Sequence, residues 1–425
     1  MILSCILSLA CFGHGFFWVG WVNRIHTWAG PRWIIDFITL LCVMGFVGIP
    51  LLLAYSWFLS GLAYQPINLT VSGIASSSSW QLSIWLSIYL NLCALGGGGM
   101  ILWRMFGLHQ ADQPNTLRDL DKKMLNLATR SSRPLPVGLT TQWMCMVPMN
   151  QVLNLSIEKK RIAIPQLSKD HEGLTIAHIS DLHMTGRIDR DYFRLVAEEV
   201  NALKPDIIVL TGDIIENEAC WSWLADSLGR MQARFGKYFI LGNHDLFVDS
   251  MQTRGKLTEL GWVDIGSRSQ LVVLHGTPVL MAGNELPWFS PAAELSIDEP
   301  AGSAESEKAN GTPGQLQDAD QSEDANLSER GPLRILLAHS PDQFPWSCKR
   351  NIDLILAGHT HGGQICLPLL GPVACPSIYG TRYAQGVFKQ GNTVMHVTRG
   401  ISGETPFRWN CPPELALLEL VRNPG

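Results

Sequence analysis

Residues 174–183 read LTIAHISDLH, a short apolar run, Leu174–Ser180, that passes straight into Asp181 and His183. Such a run reads as a buried strand with polar groups at its carboxyl end. Four further strings repeat the pattern. Gly212-Asp213 follows Asp206–Thr211, and Gly242-Asn243-His244-Asp245 follows Lys237–Leu241. Ala338-His339-Ser340 closes Leu333–Ala338, and Gly358-His359-Thr360-His361-Gly362-Gly363 follows Asp353–Ala357. Each supplies Asp, Asn or His, the oxygen and imidazole donors that suit borderline divalent metals. Parallel strands carry their ligand sites at their carboxyl ends, so the five strings predict one shared rim. Between the first two strands, Asp191–Leu203 places Phe193, Val196, Val200 and Leu203 at helical spacing. Strand, loop, helix and strand make a βαβ-type unit, and the fold class is α/β.

Taken singly, the strings say little. Asp-x-His is common on surfaces, Gly-Asp is a turn after a strand, and a lone histidine at a strand end is more often packed than ligating. The Gly358–Gly363 string says most, because two histidines one residue apart on a glycine-rich turn present both rings to neighbouring ions. Five strings together, each at a strand end, leave the bland account little room.

The chain has 425 residues, enough for more than one domain. Hydrophobic residues make up 46% and charged residues 16%, and the apolar excess sits at the front. A net charge of −5 gives no ground for a nucleic-acid partner. The ten cysteines have no CxxC spacing, which fits a reduced compartment and no zinc-thiolate site. Three stretches, about 1–22, 37–62 and 82–103, are apolar enough to cross a bilayer, which takes about 20 residues. Trp18, Trp21, Trp33, Tyr64, Trp80 and Trp103 lie near their ends, where interfacial anchors belong. The first stretch lacks the basic leader of a cleaved signal, so a retained span is expected. Arg24 and Arg32 follow the first stretch, and Arg104, Arg118, Lys122 and Lys123 follow the third, whereas 61–81 carries no charge. The positive-inside rule then predicts a multi-pass membrane protein with its catalytic domain in the cytoplasm.

The expected organisation is a transmembrane region over 1–104, a juxtamembrane connector over 105–150, and a catalytic domain over 151–425. Within the connector, Thr116–Thr129 is expected as a short amphipathic helix and Ser131–Val137 as an extended break. Ile157–Leu167 is expected as the first strand of the domain. Residues 291–330 contain ten Asp/Glu against two Lys/Arg and few large apolar groups, so a disordered acidic insertion is expected there. With that segment at −8, the rest of the chain carries +3, compatible with an anionic membrane face.

On these five strings, in this order, the chain resembles the calcineurin-like metallophosphoesterase superfamily over about 157–420, without the insertion. The resemblance implies a two-layer β-sandwich flanked by helices and a binuclear centre of two divalent metal ions (Mn, Fe or Zn). It implies that Asp181, His183, Asp213 and His361 bind one metal and that Asp213, Asn243, His339 and His359 bind the other. Two divalent ions less two carboxylates leave about +2, which suits a phosphate group. It also implies that His244 stands next to the substrate as a catalytic residue, with Asp245 as its orienting partner. Glu216 is expected to be supporting or structural. Arg399, Gly400, Pro413 and Glu414 resemble the closing segment of a membrane-associated branch and receive no chemistry.

The implied function is hydrolysis of a phosphoester or pyrophosphate by metal-activated hydroxide. The same branch includes enzymes that hydrolyse UDP-2,3-diacylglucosamine in lipid A synthesis, so a lipid-linked phosphoester presented at the bilayer is the expected substrate. Soluble nucleotides and phosphoproteins are the alternative. A membrane sensor using the domain only to bind ligand is disfavoured because no motif residue is missing. A transport path is disfavoured because the apolar stretches contain only His14 and Asn91 as notable polar groups. The string Gly283–Phe289, which opens into the acidic insertion, is expected to cap the site.

Overall fold

The structure, a computed structural model, describes residues 2–62, 88–102, 115–289, 295, 331–368 and 370–422. The chain divides into two compact units. The first comprises 1–110 with 365–382, and the second 111–364 with 383–425.

The first unit contains helices α1 (Ile2–Ile25), α2 (Arg32–Leu62) and α3 (Ile88–Leu102). Two of them, rather than the three expected, are long and apolar enough to cross a membrane, with spans at Cys5–Ile25 and Arg32–Tyr55. The third falls short of the 20 or so residues required because 82–87 and 103 lie outside the described residues. Only 6% of the apolar window of α2 is buried within the protein. A core helix of a soluble domain would be covered. His14 joins the three helices, accepting from the Tyr89 hydroxyl at 2.5 Å and donating to the Phe46 carbonyl at 2.9 Å. A side chain on Gly97 would strike the Leu9 carbonyl, so this glycine lets α3 pack closely on α1.

The second unit is built on two sheets. The first runs in the order β1-β2-β15-β3-β4-β5-β6, and the second β13-β14-β10-β9-β8-β7. In the first sheet β1 is Leu117–Asn126, β2 Asn154–Ile164, β3 Thr175–Ile179, β4 Ile207–Thr211, β5 Gly236–Ile240, β6 Val263–Asp264 and β15 Glu414–Arg422. In the second, β7 is Ser269–Leu274, β8 Thr277–Asn284, β9 Leu333–Ala338, β10 Leu354–Ala357, β13 Gly386–Gln390 and β14 Thr393–Val397. Strands β3, β4 and β5 are parallel neighbours, as are β9 and β10. Period-two alternation sends Ile176, Ile207 and Val209 into the core between the sheets, where they meet Ile335, Leu337 and Leu356. Ala177, Ile208 and Leu210 face the other way, against helix α5 (Arg190–Leu203), which brings Phe193, Val196 and Val200. Asp189 caps this helix by accepting from Asp191 N–H, and Lys204 ends it in the left-handed conformation. The unit is α/β with mixed sheets, as expected for its class. The five motif strands are thus shared between two sheets instead of standing in one.

Within the segment expected as an amphipathic helix, Thr116–Thr129, Leu117–Asn126 is instead the edge strand β1, and Leu127–Thr129 form a 3-10 turn. The strand pairs antiparallel with β2 from Leu117↔Ile162 to Asn126↔Asn154. Local charge spacing favours helix and strand about equally here, and the open edge of β2 decides by satisfying its backbone groups. Leu127 and Leu135, inside the expected connector, are fully buried in the domain core. The acidic insertion expected at 291–330 lies, apart from Leu295, outside the described residues.

Candidate metal centre

The motif strands stop just short of the polar residues, and the chain then turns abruptly. Asp181, His183, Asp213, His359 and His361 all have positive φ, between +42° and +69°. Asp and His tolerate this region better than most residues, at about 1–3 kcal/mol each. The turns redirect these side chains from the strand faces to the strand ends. Gly242 is required for a different reason: a methyl group there would collide with the Asp213 carboxylate.

Asp181, His183, Asp213 and His361 bring one ligand atom each to within 4.8 Å of one another, and Asp213, His339 and His359 do the same. Asp213 is the residue common to both groups. Its Oδ2 faces His339 Nε2 at 3.2 Å on one side and His183 Nε2 at 3.5 Å on the other. His183 Nε2 and His361 Nε2 lie 3.1 Å apart. Asn243 Oδ1 lies 3.0 Å from His339 Nε2, so Asn243 joins the second group. All seven residues expected as ligands are therefore brought together.

Asp213 Oδ2 and His359 Nε2 are buried and make no hydrogen bond among the described residues. Orphaned acceptors are costly in a protein interior unless something occupies them. The charges lead the same way. Burial works to raise the Asp213 carboxyl, but His339 and His244 hold it well below the usual carboxylate range. Burial works to lower His339, and Asp213 overrides it and raises the ring to about 9. Burial, joined by the charge of neighbouring histidines, keeps His359 and His361 well below their ordinary value. An ionised Asp213 beside neutral His359 and His361 is the protonation state that metal ligation requires, whereas His339 has to give up a proton on binding, and the donor set fits divalent ions.

Several supporting roles differ from expectation. Asp245 does not orient His244. Its Oδ1 accepts from Ile214 and Ile215 N–H at 3.0 and 3.2 Å, and its Oδ2 from Gly242 N–H at 2.8 Å. It is fully buried under the Asp213 loop, clamping that loop to Gly242. The partner of His244 is Glu216, with Oε1 at 3.0 Å from Nδ1, and Glu216 also bonds His183 Nδ1. Burial works to raise Glu216, but bonds from His183 and His244 lower it to about 2. Against its own burial, the charge of Asp213 and the bond to Glu216 raise His244 to about 9. The reason lies in the turn: His244 opens a short 3-10 segment that points the next residue, Asp245, inward.

Sequence reasoning did not single out Arg408 or Trp288. Arg408 is fully buried and donates to the His361 carbonyl at 2.7 Å and the Arg399 carbonyl at 2.8 Å. An arginine set among Phe407, Trp409 and Cys411 is the signal that was there to read. Trp288 packs on the rings of His359 and His339, with centroids 4.8 and 5.4 Å away. Its turn is held by Glu285, which accepts from Leu241 N–H at 2.7 Å. The string expected to cap the site therefore contributes a wall of it through Trp288.

Residues 174–363 match the calcineurin-like phosphoesterase family. The chain is 39% identical over 230 residues to phosphodiesterase YaeI of Escherichia coli, covering 51% of this chain and 71% of that one. It is 27% identical to a transmembrane protein with metallophosphoesterase domain of Danio rerio, over 56% of this chain and 51% of that one. It is 26% identical to UDP-2,3-diacylglucosamine pyrophosphatase LpxG of Chlamydia muridarum, over 61% of this chain and 88% of that one.

Proposed function

Since the chain belongs to the calcineurin-like phosphoesterase family and is a hydrolase of phosphoester bonds, we propose that it is a membrane-anchored, binuclear enzyme acting on a lipid-linked phosphoester or pyrophosphate. The observation that carries the binuclear part is Asp213 Oδ2, buried, orphaned and faced by imidazoles from both groups. Asp181, His183, Asp213 and His361 would hold one divalent ion, and Asp213, Asn243, His339 and His359 the other. Bound there, such ions would supply a water of lowered pKa and a clamp on the phosphoryl oxygens. The protein's own residues do the rest. Glu216 Oε1 stands 3.0 Å from His244 Nδ1 as an ion-pair contact, which leaves Nε2 to meet the substrate and protonate the leaving oxygen. Asp245 and Arg408 hold the Asp213 and His361 loops in register.

Three observations support the anchor and the lipid substrate. Helices α1 and α2 are long and apolar enough to span, and α2 is almost uncovered by protein. One relative is named for its transmembrane character. Another is named for hydrolysing a lipid-linked nucleotide. By the positive-inside rule, the arginine distribution around the helices supports a catalytic unit on the cytoplasmic side.

The test is hydrolysis of bis-p-nitrophenyl phosphate and UDP-2,3-diacylglucosamine by the detergent-purified chain, with Mn²⁺ or EDTA, beside Asp213→Ala. Metal-dependent turnover of both, absent in the variant and faster on the lipid nucleotide, is expected. Turnover of the soluble diester alone would remove the lipid substrate and keep the enzyme. Turnover that survives EDTA would remove the binuclear centre.

A further inference from the structure

Helix α4 (Leu139–Met146) is amphipathic the wrong way round for a soluble protein. It buries Thr141 and exposes Leu139, Trp143 and Met146, at 75%, 71% and 71%. These three lie at i, i+4 and i+7 and so share one face, and exposed Met149 follows them. No Asp, Glu, Lys or Arg occurs anywhere from 134 to 154. Large apolar groups gathered on one exposed face mark an interaction surface, whereas single ones do not.

The face is part of the metal-centre rim. At its leading end, Val137 N–H donates to the carbonyl of Arg187 at 2.8 Å, four residues beyond His183. At its trailing end, Asn150 donates to the Pro406 carbonyl at 3.0 Å and accepts from Arg408 N–H at 2.9 Å. Arg408 in turn holds the His361 carbonyl. The helix is thereby bolted to the two loops that carry His183 and His361. Arg187 also lines a cleft with Glu216 and Phe247, and Leu246, the neighbour of Phe247 in the chain, is exposed.

We propose that this face docks the metal-centre rim onto a lipid bilayer, so that the cleft opens toward phosphates at the headgroup level. The inference rests on the membrane-anchored reading above and specifies how the catalytic unit meets its substrate. Trp, Leu and Met on one face, with no charge among them, suit the boundary between headgroups and acyl chains. The occupant is a bilayer because the chain already carries two helices long and apolar enough to cross one.

The test uses the full chain in vesicles of phosphatidylcholine and phosphatidylglycerol, with benzoylphenylalanine replacing Trp143 or, separately, Leu139. A control replaces exposed Val273, two residues from His275, which reaches Asp206 at the opposite end of β4 from the metal ligands. After illumination, lipid adducts at 143 and 139 are expected to exceed those at 273 by roughly fivefold or more. Adducts no higher than at 273, or adducts to a second copy of the chain, overturn the docking face. Flotation and bis-p-nitrophenyl phosphate hydrolysis are read on the same vesicles. A chain that does not float overturns anchor and docking together. A chain that floats and cross-links without hydrolysing keeps the docking face and overturns the catalytic reading.

Discussion

Two buried clusters of charge lie on either side of the Ser180–Asp181 turn, and only one of them is a candidate site. Behind the turn, Lys160, Glu158, Arg399 and Glu414 form a closed set. Lys160 donates to Glu414 at 2.5 Å and lies 3.1 Å from Glu158, while Arg399 donates to Glu158 at 2.6 Å. Two buried cations meet two buried anions, half-exposed Lys122 reaches Glu158 at 3.3 Å, and His396 and Ser156 make further bonds. In front of the turn, Asp181 and Asp213 face four imidazoles, and among the described residues Asp213 Oδ2 and His359 Nε2 find no hydrogen bond. Both clusters cost solvation. The rear one offsets that cost internally, and the front one leaves it for a ligand. Burial and charge alone therefore do not mark function, whereas an unfinished set of partners does.

The sharpest way to break this contrast is to neutralise one carboxylate in each cluster. Asp213→Ala is expected to lower kcat on bis-p-nitrophenyl phosphate roughly 10³-fold, about 4 kcal/mol, while the melting temperature without metal falls little or rises. Glu414→Gln is expected to do the reverse. Stranding buried Lys160 and Arg399 costs about 3 kcal/mol of stability in urea titrations, with a much smaller change in kcat per folded molecule. Equal stability losses in both variants would erase the distinction.

Metal addition sharpens it further. Mn²⁺ at about 100 times its dissociation constant is expected to stabilise the wild-type chain and Glu414→Gln alike by about 2.7 kcal/mol, and Asp213→Ala hardly at all. Calorimetry with EDTA as the reference reads this directly. A smaller effect is expected from Glu216→Gln, which removes the carboxylate shared by His183 and His244. Metal affinity or activity should fall about 10–100-fold, with KM for the soluble diester less affected than kcat.

The smallest expected effect is on the pH dependence of stability. Burial works to raise Glu414, but Arg399 and Lys160 hold it well below its ordinary 4.5. Its contribution is thus complete above pH 4.5 and is lost as pH falls through the lower folded value. Burial works to lower Lys160, but Glu414 and Glu158 raise it above 10.5, so its contribution is complete below pH 10.5 and fades above the folded value. Urea titrations should show stability declining on both sides of that range, and Glu414→Gln should remove most of the acid-side decline. An unchanged acid limb in the variant would assign acid sensitivity to other carboxylates.

The docking face belongs to the same comparison. Helix α4 exposes what a closed surface would cover, as the metal centre leaves unpartnered what a closed interior would satisfy. Neither was equally legible beforehand. The ligand set was readable because each residue directly follows a strand, and strand ends are set by short-range apolar pattern. The reverse polarity of α4 was hidden because LTTQWMCM is weakly periodic, and only packing shows that Thr141 is the inward residue.

By itself, the sequence determined the five strand ends, their donor types, the α/β class and the apolar character of the front segment. Those properties depend on neighbours within a few residues, through backbone sterics and side-chain periodicity. The tertiary structure decided what depends on residues far apart in the chain. It made Leu117–Asn126 a strand by offering the edge of β2, set Glu216 beside His244 and gave Asp245 to the backbone. It also placed Arg408 under His361 and Trp288 over His359, and closed the rear charge cluster while leaving the front one open. Hydrogen bonds and ion pairs are satisfied by whatever group the fold brings within about 3 Å, and sequence separation does not enter that condition.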